Sequence, residues 1–441
     1  MSNAPASPAL QGRALFTPAY RNYVLGILLV INIFNFTDRS ILAILLQPIK
    51  RDLQFTDTQL GFLSGVAFAI FFSTFGIPIA RLADRSSRVK IITASLAAWS
   101  LMTAVCGLAQ NFWHLLGARI GVSVGEAGCG PSAHSLLSDY FPPQNRATAI
   151  SIFSLGIPVG AMAGLLIGGW AVEWYDWRIA FFIVGLPGVA LAVLVRFVLV
   201  EPPRGHSEAL QHDTAPPGML EVARYLWKMR SFRCITLGIA THAIIAYGVG
   251  GWLPAFLARS YNMGSGEIGT MLAVLFGGFA GVGTFAGGYV CDRLALKDRR
   301  WYVWGPCLSI GVSVPFSLAA FLVHDANTTL LLLVVPAFLS YFYVGPTYAT
   351  IQGLAQVRMR AIAAAIMLFI LNMIGLGLGP LSIGMASDWL APVYGAESLR
   401  YALVGVSFVS LLAVVFYFFA SFTLRHDLDA NPDRQQIGVH T

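Results

Sequence analysis

Apolar segments of about twenty residues follow one another along almost the whole chain, separated by short polar connections. At about 1.5 Å per helical residue, such a segment matches the ~30 Å hydrocarbon core of a bilayer. Twelve spans are predicted: 22–46, 59–80, 89–109, 112–137, 147–171, 179–200, 232–257, 267–290, 302–323, 328–351, 361–386 and 399–423. The runs are continuous rather than alternating, which excludes a β-barrel. Only 11% of the 441 residues are charged, against about 25% in soluble domains, which excludes a water-soluble enzyme and a disordered chain. The expected fold class is an all-α membrane protein.

Charge placement sets the topology. With the N-terminus inside, the cytoplasmic segments carry 20 Lys and Arg. The opposite loops carry 5: Lys50, Arg51, Arg178, Arg259 and Arg400. Both termini are therefore expected in the cytoplasm, with the chain multi-pass in the cell membrane. The cations lie between apolar runs and form no patch around aromatics, so no nucleic acid is expected. No cleavable signal is expected in 1–19, and the five scattered cysteines have no metal or disulfide spacing. The longest connection, 201–231, opens Glu201-Pro202-Pro203 and divides the chain into a tail (1–19), a six-helix bundle (20–200), a linker, a second bundle (232–424) and a tail (425–441). Within the linker, 221–231 has the pattern of a basic amphipathic helix on the membrane surface, or of a basic loop.

The halves repeat. Span two ends in Asp84-Arg85 and span eight in Asp292-Arg293, at equivalent positions. Together with Arg81-Leu82-Ala83-Asp84-Arg85-Ser86-Ser87-Arg88, with Arg119, Gly121 and Gly125 in span four, and with Gly156, Pro158, Gly160 and Gly164 in span five, these features resemble the major facilitator superfamily. Ala80 and Ser87 stand where that family usually has glycine. Asn35-Phe36-Thr37-Asp38-Arg39, and Arg119 followed by Gly125-Glu126-Ala127, resemble its spinster branch, whose members carry sphingolipids and lysophospholipids. The resemblance implies two pseudo-symmetric six-helix bundles, a central cavity lined by spans one, four, seven and ten, and a lipid-like substrate. It also implies a latch of cytoplasmic charges. Asp84 is expected to face Arg360, and Asp292 to face Arg146, with Arg85, Arg88 and Arg293 beside them.

Four charges lie well inside predicted spans: Asp38, Arg39, Arg119 and Glu126. An unpaired ion at the bilayer centre costs at least ~2.5–3.5 kcal/mol, so they are expected to pair and to face a wet interior. Counting helical rise puts Asp38 about 6 Å and Arg119 about 7 Å outside the midplane, and Glu126 about 3 Å inside. Asp38, Arg119 and Glu126 are therefore expected to form a proton relay, with Arg119 alternating between a carboxylate and an anionic headgroup. Arg39 is expected to face the outer interface or to pair locally. A static ion pair joining spans one and four is the structural alternative.

The second bundle has no comparable charges. Spans seven and ten offer His242, Tyr247, Phe338 and Tyr341 as a substrate-binding wall, with Thr241, Trp252, Tyr343 and Thr347 nearby. A cavity charged on one side and aromatic on the other suits an amphipathic molecule. Each of these aromatics equally fits simple helix packing, and His242 fits a satisfied core histidine.

No phosphate-binding G-x-x-x-x-G-K-[ST] loop occurs. His134 and Asp139 match an acyltransferase spacing but sit in an ordinary connection, so no enzyme is expected. The expected function is a proton-coupled carrier of a lysophospholipid or sphingolipid type of amphiphile, with protons as coupling ion, no other cofactor and no metal. The protein is expected to be a monomer in the lipid bilayer. The alternatives are a proton symporter of a small organic anion and a lipid receptor that does not transport.

Overall fold

The structure, a computed structural model, describes residues 16–203 and 218–433. All its regular elements are helical. The remaining residues of the tails and linker, with Arg13, Arg204 and Arg434, lie outside the described residues.

Twelve spans run back and forth between two faces. The near face is the one from which span one starts, and the far face is its opposite. Span one is Pro18–Leu53, span three Arg88–Cys106, span six Trp177–Val198, span seven Arg230–Ser260 and span nine Trp301–Leu322. The others are interrupted. Span two is Asp57–Ser64 with Val66–Arg85, span four Phe112–Glu126 with Cys129–Tyr140, and span five Pro143–Ser154 with Gly156–Trp174. Span ten is Ala326–Leu339 with Val344–Leu354, and span twelve Ser398–Ser407 with Val409–Asp429. Spans eight (Ser265–Ala273, Ala280–Ala295) and eleven (Arg360–Leu371, Gly377–Tyr394) each contain a π-helical turn, Val274–Phe279 and Asn372–Leu376.

Several ends differ from expectation. Span one runs past 46 to Leu53, because Lys50 and Arg51 suit the negative end of a helix dipole. It stops where Gln54 adopts a left-handed conformation. Span twelve continues through the start of the expected tail. The linker contains a helix, Met219–Lys228, but span seven already begins at Arg230.

The two bundles meet mainly at the far face. One continuous core runs through the first bundle and the far half of the second; the near half of the second has a core of its own. Two seams close the far face, span two against span eleven and span five against span eight. Glycine makes both seams tight: a Cβ on Gly61 would stand 2.4 Å from the Pro380 carbonyl oxygen, and one on Gly269 2.3 Å from that of Leu165. Past the π turns the seams part. At the near face, among the described residues, Cys129–Tyr140 and Pro143–Ser154 form no extended packed interface with Ala280–Ala295, Val344–Leu354 or Arg360–Leu371. The space between the bundles therefore opens toward the near face.

Candidate functional site

The centre of the first bundle is built by close backbone approach. Asn32 donates to the Phe153 carbonyl at 2.8 Å and Thr37 to that of Gly160 at 3.2 Å, tying span one to span five. This fixes the rotation of span one and carries Asp38 inward, where it is 1% exposed. Both its carboxylate oxygens accept from the Thr103 hydroxyl of span three, at 2.5 and 2.6 Å. Arg39, one residue on, points into the central space. Its Nε donates to Glu126 Oε2 at 2.5 Å, and its guanidinium lies 4.6–5.2 Å from the rings of Phe36, Phe68 and Phe72.

Glu126 ends the first segment of span four, where a helix dipole disfavours a carboxylate, so the Arg39 bond offsets a built-in cost. Arg119 is buried, 5.4 Å from the ring of Phe68. Its Nε and Nη1 have no hydrogen-bond partner among the described residues. Asp38 lies within electrostatic reach of Glu126, Arg119 and Arg39. The structure thus brings Asp38, Arg119 and Glu126 into one cluster, but the cation bonded to Glu126 is Arg39. Two carboxylates and two guanidiniums balance, and one guanidinium keeps unused donors. Such a cluster can exchange a proton for a change of ion partner, or accept an anion at Arg119.

Across the central space stand spans seven and ten. Tyr247 is 40% exposed and within electrostatic reach of Arg39, so it faces the cluster from the other bundle. Tyr341 lines a small, mainly apolar cavity of about 60 Å³ with Ala246, Gly250, Phe276 and Ser340. Phe338 presses its backbone carbonyl against Gly283 of span eight. His242 is buried; its Nε2 lies 3.0 Å from the Ser340 carbonyl, so that nitrogen carries the hydrogen. It therefore holds the break in span ten. Trp252 (Nε1 to the Pro380 carbonyl, 2.8 Å) and Thr347 (to the Tyr417 hydroxyl, 2.8 Å) serve packing rather than the cavity. Spans four and ten are both broken at mid-depth, as helices lining a polar cavity are.

A second constellation, absent from the sequence reading, locks the far face. Asp57, 1% exposed at the start of span two, accepts from Lys50 at 2.5 Å, from both Arg259 terminal nitrogens at 2.7 Å and from Ser387 at 2.7 Å. Arg259 also donates to Gln47 at 2.6 Å. Asp388 of span eleven accepts from the Asp57 and Thr58 amides at 3.1 and 2.7 Å, capping a helix in the opposite bundle. The available signal was that Lys50 and Arg259 are two of only five cations assigned to the far loops.

The expected latch residues lie as follows. The Asp84 side chain is outside what is described. Arg85 and Arg360 are exposed. Asp292 accepts from the Tyr302 hydroxyl at 2.9 Å, Arg293 lies 4.6 Å from the Tyr289 ring, and Arg146 donates to the Ser138 carbonyl at 3.0 Å. Arg88, expected beside the latch, is instead buried within the first bundle. It binds Asp139, Glu201 (2.7 Å) and the Pro202 carbonyl (3.0 Å). Asp139 is thus a structural partner, which accounts for its place five residues after His134. Partial burial pushes the Glu201 carboxyl up, but the Val89 amide and the Arg88 and Ser87 side chains hold it below the usual carboxylate range.

A family model described as Major Facilitator Superfamily matches residues 28–380. The chain is 33% identical over 407 residues to an MFS-type efflux pump of Mycolicibacterium smegmatis, covering 91% of this chain and 93% of that one. It is 27% identical to Protein spinster homolog 3 of Danio rerio (93% and 87% covered) and 26% identical to the Hexuronate transporter of Bacillus subtilis (89% and 94%). Among solved structures, a bacterial homolog to the human lysosomal transporter Spinster, in an inward-facing and unoccupied conformation, superposes with a TM-score of 0.86. It shares 31% identity, with 93% of this chain and 99% of that one covered.

Proposed function

This chain belongs to the Major Facilitator Superfamily and is related to its spinster transporters, and from that premise we propose that it is a proton-coupled carrier of an amphipathic, lipid-like molecule of lysophospholipid or sphingolipid type. The observation that carries the reading is the cluster of buried Asp38, Arg119 and Glu126 with the half-buried Arg39, facing Tyr247 across the central space. Protonation of Glu126 removes the partner of Arg39, and protonation of Asp38 leaves Arg119 uncompensated. Both cations then favour an anionic headgroup, while the tail lies along the apolar wall near Tyr341 and Phe276. Deprotonation restores the internal pairs and expels the headgroup.

Transport further requires the far face to open as the near face closes. The Asp57 lock and the two glycine seams hold one state, and we assign the other to the near-face charges Asp84, Arg85, Arg146, Asp292, Arg293 and Arg360, the latch that the resemblance implies. With the near face in the cytoplasm, as the cation bias predicts, the form described here is the inward-open one.

A second reading, proton-coupled transport of a small organic anion, draws support from two cavity guanidiniums and from the name of the hexuronate relative. A binding screen of the purified protein against lysophospholipids, sphingoid bases and small carboxylates separates the two. Binding of the first two classes, followed by pH-driven flux in proteoliposomes, is expected. Binding of carboxylates alone selects the second reading, and lipid binding with no flux selects a receptor.

A further inference from the structure

The helix Met219–Lys228 has no part in this cycle, yet its surface is specific. Val222 and Leu226 are buried against the second bundle, and the helix packs on Arg360–Leu371 of span eleven. The opposite side presents Leu220, 71% exposed, and Trp227, 45% exposed, about two helical turns apart. Arg224 and Lys228 lie beside them on the same side, exposed, and Arg230 and Arg233 follow, also exposed. None of these four cations has a carboxylate within ion-pair distance among the described residues. A single extended residue, Met229, separates the helix from the start of span seven, so the helix is covalently held at the level of the membrane surface.

We propose that this helix is a docking surface for anionic phospholipid headgroups of the near-face leaflet. Trp227 and Leu220 insert at the headgroup boundary, where an indole finds both apolar and polar surroundings. The four cations stand at the height of the phosphates and attract a leaflet of negative charge. Charge complementarity selects the occupant, because a neutral surface would leave four cations at a low-dielectric boundary without partners. Docking through Val222 and Leu226 then ties leaflet charge to the second bundle, and through it to span eleven.

The test uses the full chain in detergent, titrated with phosphatidylglycerol or phosphatidylcholine and read by native mass spectrometry. Preferential retention of phosphatidylglycerol, weakening with salt, is expected. The variant R224Q/K228Q/R230Q/R233Q leaves the buried face untouched and is expected to lose that preference, by up to about five-fold per cation removed. The control K90Q/R196Q, on the first bundle, is expected to keep it. A wild-type preference in the four-site variant, or an equal loss in the control, overturns the proposal. Independently, Trp227→Ser in phosphatidylcholine–phosphatidylglycerol vesicles should reduce quenching of tryptophan emission by lipids brominated near the headgroup. Unchanged quenching overturns the interfacial placement.

Discussion

The first bundle holds Asp38, Arg39, Arg119 and Glu126 at mid-depth, whereas the second, built from the same number of spans, places Tyr247 and Tyr341 on its facing wall, with His242 buried behind them. The charged wall is expensive to bury and is stabilised by mutual pairing, aromatic rings under the cations and the Thr103 hydroxyl. The neutral wall needs only packing and a few satisfied polar groups. What differs, then, is the capacity to change state: a protonation alters the partners on one wall, and nothing on the other wall responds in kind. In the proposed cycle, coupling is assigned to the first bundle, and shape and apolar surface to the second.

The largest effect should come from removing the first bundle's titrating groups. Asp38→Asn and Glu126→Gln are each expected to reduce pH-driven flux in proteoliposomes to that of empty vesicles while the protein still folds. Normal uptake by both variants would falsify the relay. The same substitutions sharpen the comparison when set beside Tyr341→Phe, which should change substrate affinity but leave the pH dependence of flux in place.

Next in size is the ion pair itself. Arg39→Ala leaves Glu126 buried without its bonded cation and should lower stability by up to about 3 kcal/mol. Adding Glu126→Gln should recover most of that loss, which thermal unfolding of the single and double variants would measure. Additive losses would mean that Arg39 and Glu126 do not act as a pair. Arg119→Ala removes a cation whose Nε and Nη1 bond no protein group among the described residues, and should reduce affinity for an anionic headgroup; because it also leaves Asp38 without its compensating charge, it should lower the unfolding temperature as well.

The two walls were not equally legible in the sequence. Apolar run length marked the spans, and counting helical rise made Asp38 and Arg119 level, with Glu126 about 10 Å deeper on the same face of span four, because depth depends only on position along a helix. Which cation meets Glu126 depends on the rotation of span one about its axis. That rotation is set by Asn32 and Thr37 against span five, a tertiary fact with no local signature. The neutral wall was harder still. Tyr247 and His242 lie five residues apart in one helix, yet one faces the central space and the other props a break in span ten. The far-face lock draws Gln47 and Lys50, Asp57, Arg259, and Ser387 with Asp388 from four spans, so no spacing could link them.

That lock gives a third way to probe the difference between bundles, since it joins them. Asp57→Asn should weaken the bonds to Lys50 and Arg259 and raise the population open at the far face. A cysteine placed at the buried Ile383 should then be alkylated several-fold faster than in the unaltered lock background. Unchanged labelling would show that the glycine seams alone hold the face shut. Asp388→Asn should act in the same direction but less, because it weakens a helix cap worth about 1 kcal/mol.

The smallest effect lies in the near-face clasp, which is internal to the first bundle and so should leave transport alone. Glu201 accepts from Arg88, Ser87 and the Val89 amide, and these bonds bring its carboxyl below its ordinary value of 4.5 despite the opposing effect of burial. A carboxyl lowered in the folded state contributes stability that is fully present above the unfolded value. That contribution is lost as pH falls through the lowered one. The wild-type protein should therefore lose stability as pH falls through and below 4.5, and Glu201→Gln should be less stable at neutral pH with a shallower decline on acidification. Thermal unfolding followed across that range decides the matter. Parallel curves for the two proteins would mean that Glu201 is ordinary solvated charge, and a change in flux at neutral pH would mean that the clasp reaches across to the other bundle.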